Sequence, residues 1–424
     1  MSLRTGDIFS DSSGTYEVTK PLEAGGFGQA FRVIEKNTGV ELIAKAPVPI
    51  DEIRIKSIRL EFKVLEALKE KSVPGVVRPV SLIEFSSQDG TRFPVLLMEK
   101  ARGIRADKAI ENGPLPYEDI ADVMSKLAES LMQVHQSGYM HLDIAPDNVF
   151  IEDPGGRNEI TIIDFGIAAQ KSDTNTFAVS HPGHSKNYFG APEVRKQAAS
   201  CGSDIFSVGA TGFAMIFGQP EFDNLKRNKG LSMNGPYDAK QYLPPGTKIA
   251  SHEHLHDVIK KATWEKRSGR FATMEDLGNA VAGKEPDENF PRLVADGRAH
   301  RMVGDGPWIV GRESILDENQ PNIIVQETSP TNKFISRKQA RVERRSDGVL
   351  MLYHIGTNDT RVQVNVKSSV RWVKVGEKGY PLGSRHQVIC FGYANHAPKA
   401  LDRHGNPLAP GPYKVVEFFP PSQK

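Results

Sequence analysis

Residues 141 to 166 bring oxygen and nitrogen donors together at short intervals: His141, Asp143, Asn148 five residues later, then a strand-like run and Asp164. A carboxylate placed beside a hydroxyl can receive its proton. An amide oxygen and a second carboxylate, both hard donors, can hold Mg2+ while leaving most of its sites to water or phosphate. Those are the demands of phosphoryl transfer from ATP, where a protein does little covalent chemistry and mainly positions the acceptor, the metal and the phosphates.

Such a constellation needs rigid elements on both sides. Tyr16 to Val33 reads as a strand, a turn and a strand, with Ala24-Gly25-Gly26-Phe27-Gly28 at the bend; glycines there let backbone amides approach phosphate oxygens. Leu42-Ile43-Ala44 is a short apolar strand ending in Lys45, and the helical spacing of Ile58, Phe62 and Leu65 predicts a helix from Ile55 to Lys69. Phe93 to Met98 is an apolar strand. Ile120, Met124, Leu127, Leu131 and Val134 predict an amphipathic helix from Tyr117 to Gln136, capped at Gly138, that delivers the chain into the donor-rich loop.

A chain of 424 residues with 38% apolar and 25% charged residues has the make-up of a globular protein of two or three domains. Cys201 and Cys390 lie far apart and form no ligand pattern, which suits a reducing compartment. The longest apolar stretch, Val208 to Phe217, is short for a bilayer, and no secretory signal opens the sequence. The expectations are no membrane span and a cytoplasmic location. Residues 301–424 carry 18 Lys and Arg against 11 Asp and Glu, a net +7, which leaves −5 for the first 300 residues. A basic C-terminal part suits an anionic partner, either nucleic acid or a phosphorylated peptide.

The order His-x-Asp-x-x-x-x-Asn at 141–148 followed by Asp164-Phe165-Gly166 resembles the catalytic and metal-binding loops of eukaryotic-type serine/threonine protein kinases. The resemblance implies Asp143 as catalytic carboxylate, Asn148 and Asp164 as metal ligands, and Ala24 to Gly28 as the phosphate-covering loop. It further implies Lys45 on the α- and β-phosphates, oriented by Glu61 with Glu66 as the alternative, and backbone groups of Glu99 and Ala101 against adenine. Ala191-Pro192-Glu193 resembles the end of the activation segment, Asp204 the anchor of the catalytic loop, and Arg270 the ion-pair partner of Glu193. His141 is expected to pack under Phe165.

Four departures bear on activity. Glu23 stands where the family has its first loop glycine, Ile43 where it has a small residue, Leu142 where an arginine reads activation-segment phosphate, and Ala145 where a lysine faces the transferred group. Lys186 is a candidate substitute for that last cation. A kinase of itself and of partner proteins is the first reading. The alternative is a pseudokinase adaptor that binds nucleotide without efficient transfer.

Residues 285–301 are polar and weakly periodic and read as a linker. Beyond them, alternation at Val362, Val364 and Val366 and short apolar runs at Leu350 to Ile355 and Val388 to Phe391 predict an all-β sandwich. Ile309 to Arg312, Ile335 to Ala340, Gly356 to Val362 and Ile389 to Gly392 resemble the motifs of a forkhead-associated (FHA) domain. That resemblance implies a phosphothreonine site of Arg312, Ser336, Arg337 and Thr357, with Asn358 on the peptide backbone, since a phosphate needs a guanidinium and hydroxyl or amide donors. Gln339 replaces the family's histidine and Asp359 its glycine. Without a basic helix or interleaved aromatics, nucleic acid falls behind phosphoprotein as the partner. The expected architecture is an α+β two-lobed protein kinase fold over 8–284, a linker over 285–301 and an all-β FHA-like sandwich over 302–420. Across the linker, autophosphorylated Thr174 or Thr176 could meet the sandwich and cause self-association.

Overall fold

The computed structural model of the chain describes residues 3–25, 28–87, 89–166, 169–170, 188–196, 199–244, 247, 251–284, 291–295, 298–302, 307–311, 323–324, 339–357, 359–366, 369–384, 386–392 and 413–420. The first lobe is an antiparallel sheet of β1 (Ile8–Ser10), β2 (Thr15–Gly25), β3 (Gly28–Glu35), β4 (Glu41–Ala46), β5 (Pro79–Ser86) and β6 (Arg92–Glu99), with α1 (Glu52–Glu70) against it. Strand order is β1-β2-β3-β4-β6-β5. Alternation along β4 decides which side chains face the cleft: Leu42, Ala44 and Ala46 join the core of this sheet, while Ile43 packs against the core that runs into the second lobe. Lys45 shares the face of Ile43, as the two-residue period requires. Helix α1 starts at Asp51, whose carboxylate accepts from the Arg54 amide at 2.8 Å. Its buried stripe is Ser57, Ile58, Glu61, Val64, Leu65 and Leu68, so Glu61 is a carboxylate in the middle of an apolar face.

The second lobe begins with β7 (Ile104–Arg105), α2 (Ala106–Ala109) and α3 (Tyr117–Gln136), which has the predicted bounds and is followed by Gly138 at φ 88°. Next come β8 (Tyr139–Met140), the hairpin β9 (Val149–Glu152) and β10 (Glu159–Ile162), and β11 (Ala169–Gln170) against β8. Helices α4 (Cys201–Asn228), α5 (Leu255–Ala262) and α6 (Met274–Val281) complete it. Among the described residues α4 is the one helix long and apolar enough to cross a membrane, longer than the apolar run suggested. Its apolar window is 94% buried inside the lobe, and the helix breaks at Gly218 (φ 70°), where a Cβ would lie 2.4 Å from the backbone of Gly113. It is the central core helix of this lobe.

The remaining strands form two facing sheets around a separate core that includes Leu293, Val310, Leu352, Val362, Ile389, Phe391, Val416 and Phe418. They are β12 (Arg292–Ala295), β13 (Arg298–Arg301), β14 (Trp308–Gly311), β15 (Ile323–Ile324), β16 (Ala340–Arg344), β17 (Leu350–His354), β18 (Asp359–Val366), β19 (Ser369–Lys374), β20 (Tyr380–Leu382), β21 (Gln387–Gly392) and β22 (Tyr413–Phe419). The orders are β13-β12-β22-β21-β18-β19 and β15-β14-β16-β17-β20. This corrects the expected linker. Residues 292–301 are a hairpin of the sandwich, with Ala295 opposite Arg298 and β12 paired to β22. Only Asp296 and Gly297 separate the strands, and Asp-Gly is a strong short hairpin signal that overall polarity obscured.

Candidate active site

The cleft between the lobes gathers residues that lie far apart in sequence. Lys45 Nζ donates to Glu61 Oε2 at 2.7 Å and to Asp164 Oδ1 at 2.8 Å. Burial alone would push the Lys45 ammonium down; Asp164 and Glu61 outweigh it and hold the amine protonated, well above its ordinary value. Burial pushes the Glu61 carboxyl up and Asp164 adds to that, against the Lys45 ammonium and the Phe165 amide. Glu61 Oε1 accepts that amide at 3.2 Å, and Ser57, one turn earlier on α1, donates to the Gly166 carbonyl at 2.7 Å. Helix α1 is thereby fastened to the segment that carries Asp164. Glu66 does not take part in this pairing.

Asn148 sits in a short 3-10 turn after Ala145, and its Nδ2 donates to the Asp143 carbonyl at 2.8 Å and to Asp143 Oδ2 at 3.0 Å. Because the amide nitrogen is spent on Asp143, the amide oxygen is the atom Asn148 can offer a cation. Beneath the loop, Asp204 near the start of α4 accepts from the amides of His141 (2.9 Å) and Leu142 (2.7 Å). Leu142 has φ 67° and is buried, a left-handed conformation that costs a branched residue energy unless its surroundings impose it. His141 meets Phe165 edge-on at 4.5 Å and pairs through Nε2 with the Ile163 carbonyl at 3.0 Å, the packing role expected of it.

Sequence reasoning missed His135, whose Nε2 lies 2.8 Å from Asp204 Oδ2. Burial would push this imidazole down, but Cys201 and Asp204 lift it to about 10. The signal was present: His135 falls four residues after Leu131, on the apolar face of α3, where a histidine needs a partner. Within the second lobe, beside the start of α4, Arg270 holds Glu193 bidentately at 2.6 and 2.9 Å, as the motif implied. Burial opposes the charge on Glu193, and the Arg270 guanidinium overcomes it and keeps the carboxyl below its usual range.

Ala24 and Gly25 end β2 and Gly28 opens β3, while Gly26 and Phe27 lie outside the described residues, as does the side chain of Glu23. Gly28 has a packing reason for being glycine: a Cβ there would lie 2.4 Å from the Ala46 carbonyl oxygen. Glu99 ends β6 with its amide on the Arg78 carbonyl at 2.9 Å, and Ala101 follows in the connection between the lobes. Ala145 is fully buried, Ile43 is half-buried against the core that runs into the second lobe, and Lys186 lies outside the described residues. Among the described residues no three His, Cys, Asp or Glu side chains cluster as a metal cage. Asp164 with the Asn148 oxygen is a sparse, all-oxygen donor set. It fits a Mg2+ that takes its other ligands from phosphate and water.

In the sandwich, Thr357 is exposed on the bend between β17 and β18, whereas Arg312, Ser336, Arg337 and Asn358 lie outside the described residues. Gln339 is buried and donates to Thr360 Oγ1 at 3.1 Å, the scaffold role expected of the substitution. Asp359 is buried between Arg361 (3.0 Å) and Lys374 (2.7 Å).

A two-lobed α+β domain with a buried lysine between two carboxylates, above an Asp-Asn loop, has the architecture of a nucleotide-using phosphotransferase. The family model described as "Protein kinase domain" matches residues 16–277, and the chain belongs to that family. Similar curated proteins include the probable serine/threonine-protein kinase PknB of Bifidobacterium longum, 23% identical over 312 residues that cover 66% of this chain and 44% of that protein. Another is the serine/threonine-protein kinase PrkC of Bacillus subtilis, 24% identical over 274 residues, 62% of this chain and 40% of that protein. The chain thus spans less than half the length of these relatives. Among solved structures, the Mycobacterium tuberculosis PknI kinase domain aligns at 20% identity and a TM-score of 0.48, covering 67% of this chain and 99% of that one.

Proposed function

We propose that this chain is a protein serine/threonine kinase that uses ATP and Mg2+ and phosphorylates itself and partner proteins. The observation that carries the reading is Lys45 between Glu61 and Asp164 at 2.7 and 2.8 Å, in the same cleft as the bonded Asp143–Asn148 pair. When bound, ATP with Mg2+ supplies the phosphoryl group and the charge that neutralises it. Lys45, kept protonated, holds the α- and β-phosphates. The Asp164 carboxylate and the Asn148 oxygen hold the metal, and Asp143, fixed by the Asn148 amide, orients the acceptor hydroxyl and takes its proton. Backbone groups of Glu99 and Ala101 receive the adenine. Two proteins named as serine/threonine-protein kinases among the relatives support that residue class as acceptor.

We further propose that the sandwich binds phosphothreonine through Arg312, Ser336, Arg337, Thr357 and Asn358. The two-sheet topology and the exposed Thr357 support that reading. The expected self-association through phosphorylated Thr174 or Thr176, which lie outside the described residues, depends on fixed geometry more than on linker reach, because residues 292–301 belong to the sandwich.

The buried alanine at 145 favours a second reading, a pseudokinase adaptor, because no loop cation stands there to meet the transferred group. Cationic groups at that stage are worth about three orders of magnitude in rate or more. Incubating the full chain with labelled ATP and Mg2+, beside Asp143→Asn, separates the two. We expect label on serine or threonine in the parent, and in the variant a rate at least about 100-fold lower with nucleotide binding kept. Nucleotide binding without transfer in the parent would establish the adaptor, and equal rates would remove the role given to Asp143.

A further inference from the structure

The turn that carries Arg270 has a second face, turned toward the sandwich. Arg267 opens this turn, and its carbonyl accepts the Arg270 amide at 3.0 Å. Its guanidinium reaches Glu417 of β22 at 2.6 Å, and the same carboxylate oxygen lies 2.7 Å from Nε2 of His386. Two residues beyond Arg270, Ala272 packs with Val294 of β12 and Phe419 of β22. Arg292 completes the contact, pairing with Asp276 of α6 at 3.0 Å while its guanidinium lies over the Phe419 ring. A single exposed ion pair would contribute little. Here, one largely buried ion pair, Arg292–Asp276, and one half-buried pair, Arg267–Glu417, flank an apolar cluster, so the sandwich grips the turn at several points.

The same short turn reaches into the kinase machinery. The stem of Arg267 covers Gly202, where a Cβ would come within 2.9 Å of its Cγ, and the Gly202 carbonyl accepts from Arg270 Nη1 at 2.8 Å. Arg270 holds Glu193, and Ser203 donates to that same carboxylate at 2.9 Å. Glu417 is therefore two side chains away from the anchor that closes the activation segment. A side chain whose supporting residues are themselves held loses less freedom when it binds.

We infer that the C-terminal sandwich braces the anchor of the activation segment, and that Glu417, acting through Arg267, is a positioning residue that sets how firmly Arg270 holds Glu193. When the brace loosens, the docked form of residues 188–193 is less populated, and the apparent affinity for a protein substrate falls by that fraction. ATP affinity does not follow, because Lys45, Glu61 and Asp164 are held on β4, α1 and the segment after β10, elements other than the turn. The consequence for activity rests on the kinase reading, whereas the consequence for the segment's order does not.

The test uses the full chain with Arg267→Met, Glu417→Gln and the double variant, all followed by amide hydrogen exchange and by kinetics. Each single variant should speed exchange across 188–196 by between about twofold and tenfold, leave α3 unchanged, and raise KM for a protein substrate by a similar factor at constant KM for ATP. The double variant should fall short of the sum of the two single effects, because both substitutions remove the Arg267–Glu417 link, and only Glu417→Gln also disturbs the pair with His386. Additive effects, or unchanged exchange across 188–196, would overturn the brace. Should the parent transfer no phosphate, the exchange arm still decides this inference, and only the kinase reading falls.

Discussion

Replacing Asp204 with asparagine tests whether one buried carboxylate sets the shape of the catalytic loop. Oδ1 accepts the Leu142 amide at 2.7 Å, while Oδ2 accepts the His141 amide at 2.9 Å and pairs with His135 at 2.8 Å. Asparagine has one acceptor oxygen, so in either orientation its NH2 faces at least one N–H donor, and the charge that opposes His135 is gone. Losing one or two hydrogen bonds to a charged group, plus a buried partner, puts the cost at about 3–5 kcal/mol. A pH signature follows. The folded-state pKa of His135, lifted against burial from 6.5 to about 10 by Cys201 and Asp204 together, makes the contribution of this imidazolium complete below pH 6.5 and lost as pH rises through about 10. Parent stability should therefore fall by on the order of 4 kcal/mol across that window, and the decline should flatten in Asp204→Asn. Urea unfolding at several pH values measures both effects, and transfer assays should show the rate dropping as Leu142 leaves its left-handed conformation. A variant within about 1 kcal/mol of the parent, with the same pH profile, would refute the account of the anchor.

Gly28→Ala should lower stability by about 1–3 kcal/mol through overpacking, because the added carbon meets a backbone carbonyl that cannot swing away; an unchanged melting temperature would leave Gly28 without a packing reason. A peptide of residues 165–179 phosphorylated at Thr174 or Thr176 should bind the full chain in calorimetry without ATP, the unmodified peptide should not, and Arg312→Ala should abolish the difference. Equal affinities for the two peptides would end the self-recognition model and leave other phosphorylated partners to be tested.

Some of the site could be read from order alone. Asp143, Asn148 and Asp164 sit within 22 residues of one another, so their spacing along a loop and hairpin already implies a shared location. The period of α3 was legible for a similar reason: apolar side chains recur every three to four residues wherever one helix face is buried. The pairs Asp204 with the loop amides and Arg270 with Glu193 were legible only through the resemblance, since nothing in 62 or 77 residues of separation indicates contact.

What the sequence by itself determined is the set of donors and the periodic elements that carry them, because both are written in neighbouring residues. Only the tertiary structure decided that Lys45 stands between carboxylates 16 and 119 residues away, that His135 backs Asp204, and that residues 292–301 complete a sheet with β22 instead of linking two bodies. Tertiary packing likewise placed Glu417 on the turn beside Arg270. Ion pairs and strand pairings of this kind depend on which surfaces meet after collapse, and local patterning records that a surface must be buried without recording against what.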